Sequence, residues 1–348
     1  MKALQLQEYN KFQYVDVPEP TLADDSVLIK VGACGICGSD VHGMDGSTGR
    51  RIPPIIMGHE AAGTITKIGK SITKFKVGDN VTFDSTVYCG SCYFCSRGEI
   101  NLCDNRKVLG VSTPEYRQHG AYADFVAVPE RILYKLPDGM SFEHAAMVEP
   151  VSIAFHAVNN LPMTIGDSVT VVGAGMIGMF VIQALRLKGY GKIIAVDLDE
   201  GKLKMAKSFG ADYTLKSDAC DVVAEVAKLT EQRGSDAAFE VVGIAPTVDL
   251  AIRSVKKGGR IGLVGNLKPK VDFPLQQVVT RELTIYGSCA SKGDYPACLE
   301  MIARGAIKVD PMISAVIPLS EAIPMFDRLY KAEPGLMKVI VKPDGVTH

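Results

Sequence analysis

The sequence predicts an α/β protein in which a β-rich first half precedes a doubly wound parallel sheet. Short alternating runs of apolar and polar residues, separated by Pro and Gly, fill the first 130 residues and are typical of antiparallel strands. Between residues 168 and 287, apolar β-branched runs alternate with helical segments, which indicates a parallel sheet covered on both faces. The length of 348 residues suits two domains. We expect the first domain at 1–150, the second at 151–290 and a C-terminal segment at 291–348.

The second half opens on a strand, a glycine turn and a helix. The apolar run 168–172 is followed by GAGMIG at 173–178, which is a G-x-G-x-x-G turn, and then by helical residues 179–187. A second apolar run, 192–196, ends in Asp197, 19 residues after the last glycine. This order and spacing are those of a dinucleotide-binding βαβ unit, where the backbone approaches a pyrophosphate at the N-terminus of the helix.

The acid at the end of the second strand favours NAD over NADP. The carboxylate of Asp197 would accept hydrogen bonds from ribose hydroxyls and repel a 2′-phosphate, and no arginine follows it directly. Two later strands end in glycines, at the sheet edge where such folds bind cofactors. The predicted cofactor contacts are Gly173, Gly175, Met176, Ile177, Gly178, Asp197, Lys202, Val242, Gly243, Val264 and Gly265.

Two groups of residues in the first half have the chemistry of metal ligands. Cys37 lies in the motif GICGSDVH, and His59-Glu60 follows 22 residues later, which gives the thiolate, imidazole and carboxylate that a catalytic zinc uses. From these residues alone, a buried structural cysteine explains Cys37 equally well.

Four further cysteines, Cys89, Cys92, Cys95 and Cys103, are spaced C-x2-C-x2-C-x7-C. Four thiolates in a short loop fit a closed, structural zinc site. The alternative is an iron–sulfur cluster, which the absence of a second cysteine set and of a proline after Cys103 disfavours.

Composition argues against several classes of function. The formal net charge is −1, from 38 Lys and Arg against 39 Asp and Glu, so nothing indicates a nucleic acid or membrane partner. We find no secretory signal and no apolar run of about 18 residues, and the nine cysteines are mostly clustered. We therefore expect a cytoplasmic protein with reduced or metal-bound thiols.

The motifs GICGSDVH and GHEAAG, together with Glu149-Pro150, resemble those of the zinc-dependent medium-chain alcohol and polyol dehydrogenases, in particular the sorbitol-dehydrogenase-like branch. The similarity extends over essentially the whole chain. It implies a GroES-like catalytic domain, a Rossmann NAD-binding domain and a C-terminal segment that returns to the catalytic domain. It also implies two zinc ions per chain, one catalytic and one structural, and a homodimer or homotetramer.

The resemblance assigns roles to individual residues. The catalytic zinc would be held by Cys37, His59, Glu60 and Glu149, with Glu149 bound directly or through water. Ser39 would contact the alcohol, and His42 would form the outer end of a proton relay.

The implied activity is NAD-linked oxidation of a secondary alcohol, in a polyol, polyol phosphate or related sugar alcohol, to the ketone. L-Threonine and 2,3-butanediol dehydrogenases of the same branch remain alternatives. A zinc-free NADPH-linked quinone or enone reductase is disfavoured by Cys37, the four-cysteine loop and Asp197. A non-catalytic structural relative is disfavoured because Ser39 and the metal ligands are intact.

The substrate is less well indicated than the reaction. Sorbitol dehydrogenases carry an Arg-Tyr pair after the strand that here reads LTIYGS, and this chain has Cys289-Ala-Ser instead. Arg50 and Arg51 are expected to be solvated loop charges, although with Lys292 they would suit a phosphorylated or acidic polyol.

Overall fold

The computed structural model describes residues 1–344, so the last four residues of the predicted segment 291–348 lie outside the described part. The chain divides into two compact units. The first unit contains Met1–Glu149, Ser291–Gly305 and the segment from Val309 onward, and the second contains Pro150–Ala290 and Ala306–Lys308.

The N-terminal part of the first unit consists mainly of strands. In chain order its elements are β1 (Lys2–Glu8), β2 (Lys11–Asp16), β3 (Ser26–Gly35), α1 (Gly38–Val41), β4 (Ile55–Ile56), β5 (Glu60–Ile68), β6 (Asn80–Phe83), β7 (Thr86–Val87), β8 (Lys107–Leu109), β9 (Arg117–Gln118), β10 (Phe125–Pro129), β11 (Leu133–Lys135) and α2 (Phe142–Ala146).

The rest of the chain alternates helices and strands. Its elements are α3 (Val148–Asn160), β12 (Val169–Val172), α4 (Met176–Leu187), β13 (Ile193–Asp197), α5 (Glu200–Ser208), β14 (Tyr213–Lys216), α6 (Val222–Leu229), β15 (Ser235–Glu240), α7 (Ala245–Ser254), β16 (Val255–Leu263), α8 (Leu275–Thr280), β17 (Thr284–Gly287), α9 (Tyr295–Ala303), β18 (Ile313–Pro318), α10 (Ala322–Tyr330) and β19 (Lys338–Lys342). No helix within residues 1–344 has both the length and the apolar content needed to cross a bilayer.

In the first unit, strand β3 organises a seven-stranded sheet formed within residues 26–342. The order is β11-β6-β5-β3-β19-β18, and β10 also pairs with β3. β3 extends over Ser26–Gly35, and all of its residues except Lys30 are buried. The antiparallel register places Gly35 opposite both Glu60 of β5 and Ile340 of β19. The chain segments that carry Cys37, Glu60 and Lys338 therefore meet at this end of β3.

Residues 169–287 of the second unit form a six-stranded parallel sheet in the order β14-β13-β12-β15-β16-β17. The register aligns Val172 with Val196 and with Glu240, so the residues that follow these strands lie along one edge. The α/β fold class and the parallel sheet predicted from the sequence are confirmed.

The glycine turn departs from the prediction in one respect. Helix α4 begins at Met176 rather than at residue 179, because residues 176–178 of the motif already form its first turn. Gly178 is required by close packing, since a Cβ there would lie 2.0 Å from the carbonyl oxygen of Gly173.

Candidate metal centres and cofactor site

Cys37, His59 and Glu60 bring a thiol, an imidazole and a carboxylate within 4.8 Å of one another. Cys37 follows β3 as the residue that precedes α1, and Glu60 opens β5. His59 is 7% exposed and Glu60 is 1% exposed. Nδ1 of His59 is buried, makes no hydrogen bond within residues 1–344 and faces Oδ2 of Asp40 at 3.5 Å, which leaves the other ring nitrogen for a metal ion. The donor set and burial fit a zinc ion.

Glu149 is the fourth predicted ligand. Among the described residues, the cluster contains Cys37, His59 and Glu60 but not Glu149. It is buried at the start of α3, and it accepts a hydrogen bond from the hydroxyl of Ser85 at 3.4 Å. Burial raises the pKa of Glu149 to about 8. The geometry thus groups three of the four predicted ligands, and direct ligation by Glu149 remains a prediction.

Lys338 belongs to this cluster and was not predicted. Its Nζ lies 2.5 Å from Oε2 of Glu60 and donates to the carbonyl of Ile36 at 3.1 Å, and its side chain is 3% exposed. In the sequence, a lysine at the start of an apolar strand indicates a solvated residue. Only the pairing of β19 with β3 brings its ammonium to the metal cluster.

The prediction for Arg51 is wrong, because its side chain is not solvated. Arg51 is 2% exposed, and both Nε and Nη2 donate to Oδ1 of Asp40, at 2.9 and 2.7 Å. Nη2 also donates to Oγ of Ser39 at 3.1 Å, and the hydroxyl of Ser39 donates to Sγ of Cys37 at 3.3 Å. A guanidinium held in this way is not available to attract an anionic substrate.

Asp40 is fully buried and lies between three partners. Besides Arg51, the hydroxyl of Tyr122 donates to its Oδ2 at 2.8 Å, and Nδ1 of His59 lies 3.5 Å from the same oxygen. Burial opposes its ionisation, but the nearby imidazole of His59, the guanidinium of Arg51 and the hydrogen bonds outweigh burial and lower the pKa of Asp40. The carboxylate therefore supports the polar side of the cluster.

His42 ends helix α1, and its ring stands 5.7 Å from that of Tyr330 at an angle of 48°. The hydroxyl of Tyr330 in turn donates to Asp45 at 2.9 Å. The role of His42 in a proton relay remains a prediction.

The four cysteines of the predicted structural site are gathered in one loop. The sulfurs of Cys89 and Cys95 are 4.0 Å apart, and those of Cys92 and Cys103 are 3.8 Å apart. A tetrahedral zinc with Zn–S bonds of about 2.3 Å requires sulfurs about 3.8 Å apart. Backbone amides that donate to Cys89 lower the pKa of its thiol to about 5, whereas burial raises the pKa of the Cys95 thiol to about 12. The loop therefore fits a closed zinc site.

The glycine turn of the second unit fits a dinucleotide. A Cβ at Gly175 would meet no atom within 4 Å, so the backbone there faces open space, and no side chain caps the N-terminus of α4. Oδ2 of Asp197 accepts a hydrogen bond from the amide of Ala174 at 2.7 Å, while its Oδ1 accepts from the amides of Leu198 and Asp199. The acid is thereby fixed beside the turn.

The other predicted cofactor residues lie on different elements of the second unit. Met176 and Ile177 form the first turn of α4, and Lys202 lies on α5 with its amide bonded to Asp199. A residue that the sequence did not reveal, Glu240, accepts hydrogen bonds from the amides of Val242 and Gly243, at 2.9 and 2.8 Å.

The turn after β15 also packs against the one after β16. Val264 and Gly265 follow β16, and a Cβ at Gly265 would lie 2.2 Å from the amide nitrogen of Gly243. The backbones of Gly243 and Gly265 are therefore in close contact at the edge of the sheet.

Two family models match this chain. Residues 23–138 match the alcohol dehydrogenase GroES-like domain, and residues 177–304 match the zinc-binding dehydrogenase domain. The chain belongs to the zinc-dependent medium-chain alcohol and polyol dehydrogenases. It is an oxidoreductase that uses zinc and a nicotinamide cofactor on a small-molecule substrate, so the predicted family and enzyme class are confirmed.

Individual relatives cover nearly the whole of this dehydrogenase. D-arabitol-phosphate dehydrogenase of Enterococcus avium is 33% identical over 96% of this chain and 94% of its own. Sorbitol dehydrogenase of Bacillus subtilis is 32% identical over 99% and 98% of the two chains. The crystal structure of 2R,3R-butanediol dehydrogenase from Bacillus subtilis gives a TM-score of 0.86 at 31% identity, covering 99% of each chain.

Proposed function

We propose that this dehydrogenase oxidises a secondary alcohol of a polyol or polyol phosphate to the ketone and reduces NAD. The observation that carries the proposal is the buried cluster of Cys37, His59 and Glu60 with the hydroxyl of Ser39 beside it. The similarity to dehydrogenases of sorbitol and of D-arabitol phosphate supports a polyhydroxylated substrate.

The residues of the cluster have separable roles. Zinc held by Cys37, His59 and a carboxylate would supply Lewis acidity, which lowers the pKa of an alcohol and stabilises negative charge on its oxygen. Ser39 takes the hydroxyl proton as it releases its own, and His42 passes a proton to solvent. Asp40 orients His59, as a carboxylate behind a metal-binding imidazole commonly does.

The preference for NAD rests on Asp197. Its carboxylate already accepts three backbone hydrogen bonds, so it is held in place and cannot turn away from a 2′-phosphate without losing them. A 2′-phosphate beside this carboxylate would bring two negative charges together, which disfavours NADP. The same panel of alcohols tested with NAD and NADP measures this preference.

The phosphate of a phosphorylated substrate would need a cation other than Arg51, which is bound to Asp40. Of the three basic residues predicted for this role, Arg50 and Lys292 remain candidates. A 2,3-butanediol activity is the second candidate function, favoured by the structural similarity to the 2R,3R-butanediol enzyme.

We propose further that the enzyme is a homodimer or homotetramer and acts in the cytoplasm. Strand β17 supports self-association, because within residues 1–344 it pairs only with β16 and leaves its other edge open. All nine cysteines are free thiols, which suits a reducing compartment. Light scattering of the purified protein and fractionation of cells test the two statements.

The decisive experiment compares the wild-type enzyme with Cys37→Ser. The enzyme is supplied with NAD and a panel of polyols, polyol phosphates, 2,3-butanediol and L-threonine, and NADH absorbance is followed. We expect NADH formation that chelation abolishes and zinc restores, and we expect Cys37→Ser to lose both activity and one zinc ion. Full activity and full zinc content in Cys37→Ser would contradict the proposal.

A further inference from the structure

Arg51 connects Ser39 and Asp40, two residues beside the metal cluster. The sequence did not predict this connection. One nitrogen, Nη2, donates to both Asp40 Oδ1 at 2.7 Å and Ser39 Oγ at 3.1 Å, while Nε donates to Asp40 at 2.9 Å. Nη1 donates to the carbonyl of Arg50 at 3.3 Å. Every nitrogen of the guanidinium is thus used inside the protein.

The direction of these hydrogen bonds fixes the hydroxyl of Ser39. A guanidinium has donors only, so the oxygen of Ser39 must accept from Arg51. The proton of Ser39 then points elsewhere, and the structure directs it to Sγ of Cys37 at 3.3 Å. Arg51 and Cys37 together select one orientation of the hydroxyl.

A glycine at position 43 leaves room for the side chain of Arg51. A Cβ at Gly43 would lie 2.6 Å from Cγ of Arg51 and 2.8 Å from the carbonyl of Ser39. The end of α1 and the stem of Arg51 therefore pack without room for any larger residue. A lysine could pair with Asp40 at this position, but only a planar fork reaches Asp40 and Ser39 at once.

We propose that Arg51 is a positioning residue for alcohol oxidation, which holds Oγ of Ser39 so that its remaining lone pair accepts a hydrogen bond from the hydroxyl proton of the alcohol. The inference rests on the proposed function, in which Ser39 transfers that proton. Arg51 itself does not contact the alcohol; it acts through Ser39, while its second contact keeps Asp40 behind His59.

A double-mutant cycle separates this role from a purely structural one. Arg51→Met, Ser39→Ala and the double variant are compared with wild type by kcat/KM for the best alcohol of the panel. We expect Arg51→Met alone to lower kcat/KM by about 10- to 100-fold, as loss of a group behind a metal site commonly does. In the Ser39→Ala background the same substitution should lower kcat/KM by clearly less, because the residue that it orients is gone and only its contact with Asp40 remains.

Tyr122→Phe is the matched control. It removes the other hydrogen bond to Asp40 at 2.8 Å without touching Ser39. We expect its effect on kcat/KM to be the same in the wild-type and Ser39→Ala backgrounds. The visible spectrum of the cobalt-substituted enzyme should be unchanged by Arg51→Met, since the metal ligands remain.

Three results would overturn the proposal. The first is an equal loss from Arg51→Met in both backgrounds, the second is a wild-type kcat/KM in Arg51→Met, and the third is an altered cobalt spectrum. If Arg51→Met does not fold, the cycle is run with Arg51→Lys, which keeps a charge beside Asp40.

Urea unfolding of the same four proteins needs no alcohol. Midpoint shifts that are not additive are expected from the bond between Arg51 and Ser39, and additive shifts would contradict it. A wild-type enzyme that is inactive with every alcohol would refute the proposed function, while the unfolding cycle would still decide the coupling of the two residues.

Discussion

The ammonium of Lys338 lies 2.5 Å from a carboxylate oxygen of Glu60, with both side chains almost fully buried. Burial alone would make the ammonium less basic, but the charges of Glu60 and Cys37 outweigh burial and raise the pKa of Lys338. The lysine therefore remains charged. Strand β19 thus supplies the positive charge that balances Glu60 of the metal cluster. The carboxylate of Glu60 is therefore a partner for Lys338 and for a zinc ion.

Replacement of Lys338 by methionine should strongly destabilise the metal-free protein, because Glu60 is left buried without a counter-charge. Loss of one partner of a buried pair costs about 3–5 kcal/mol in the free energy of unfolding. Urea unfolding with and without zinc measures the loss. A smaller loss with zinc present is expected if zinc replaces Lys338 as the partner of Glu60, and the double variant Lys338→Met/Glu60→Gln should recover much of the stability. A loss below about 1 kcal/mol in the metal-free protein would contradict the prediction.

Replacement of Cys103 by serine should remove the loop zinc and leave the catalytic site loaded. Cys103 supplies one of four sulfurs spaced for a closed tetrahedron, and three remaining thiolates bind the ion less tightly. Metal analysis should show a fall from about two zinc ions per chain to about one. Cys34→Ser is the matched control, since Cys34 is a buried thiol outside both clusters and should keep both ions. Retention of both ions in Cys103→Ser would contradict the assignment.

The sequence predicted those parts of the site that depend on local pattern. The glycine turn and the four-cysteine loop are each contained in a short segment, so residue type and spacing determine their geometry. Lys338 and Arg51 were missed or misread because their partners are set by tertiary packing. Lys338 is 278 residues from Glu60 along the chain, and Arg51 is buried only because its loop folds back on α1.

Two glycines of the cofactor turn should respond differently to alanine. At Gly178 a Cβ would lie 2.0 Å from a backbone oxygen, so Gly178→Ala should unfold or strongly destabilise the second unit. At Gly175 a Cβ meets no protein atom within 4 Å and φ is −75°, so Gly175→Ala should fold normally. It should nevertheless weaken NAD binding by about 1–3 kcal/mol, because the methyl group enters the space of the pyrophosphate. Thermal unfolding and NADH fluorescence titration measure the two effects, and tight NAD binding by Gly175→Ala would contradict the assignment of the site.

Asp84 should make the stability of the first unit depend on pH. It is fully buried, its Oδ1 accepts the amide of Thr86 at 2.8 Å and its Oδ2 accepts the hydroxyl of Ser291 at 3.3 Å. Burial raises the pKa of Asp84 from 3.8 to about 6. Because the folded state then holds the proton more tightly than the unfolded state, the contribution of Asp84 to stability is full below about pH 4 and is lost as pH rises through about 6.

Asp84→Asn should therefore stabilise the protein at neutral pH. Asparagine keeps an acceptor for Thr86 and carries no charge, so it removes a penalty of order 3 kcal/mol, which corresponds to a pKa raised by about two units. The gain over wild type in urea unfolding should be largest above about pH 7 and should shrink towards about pH 4. Asp138→Asn, at an exposed position, is the control and should show no such trend. A gain that is independent of pH would show that the Asp84 carboxyl does not titrate as its burial requires.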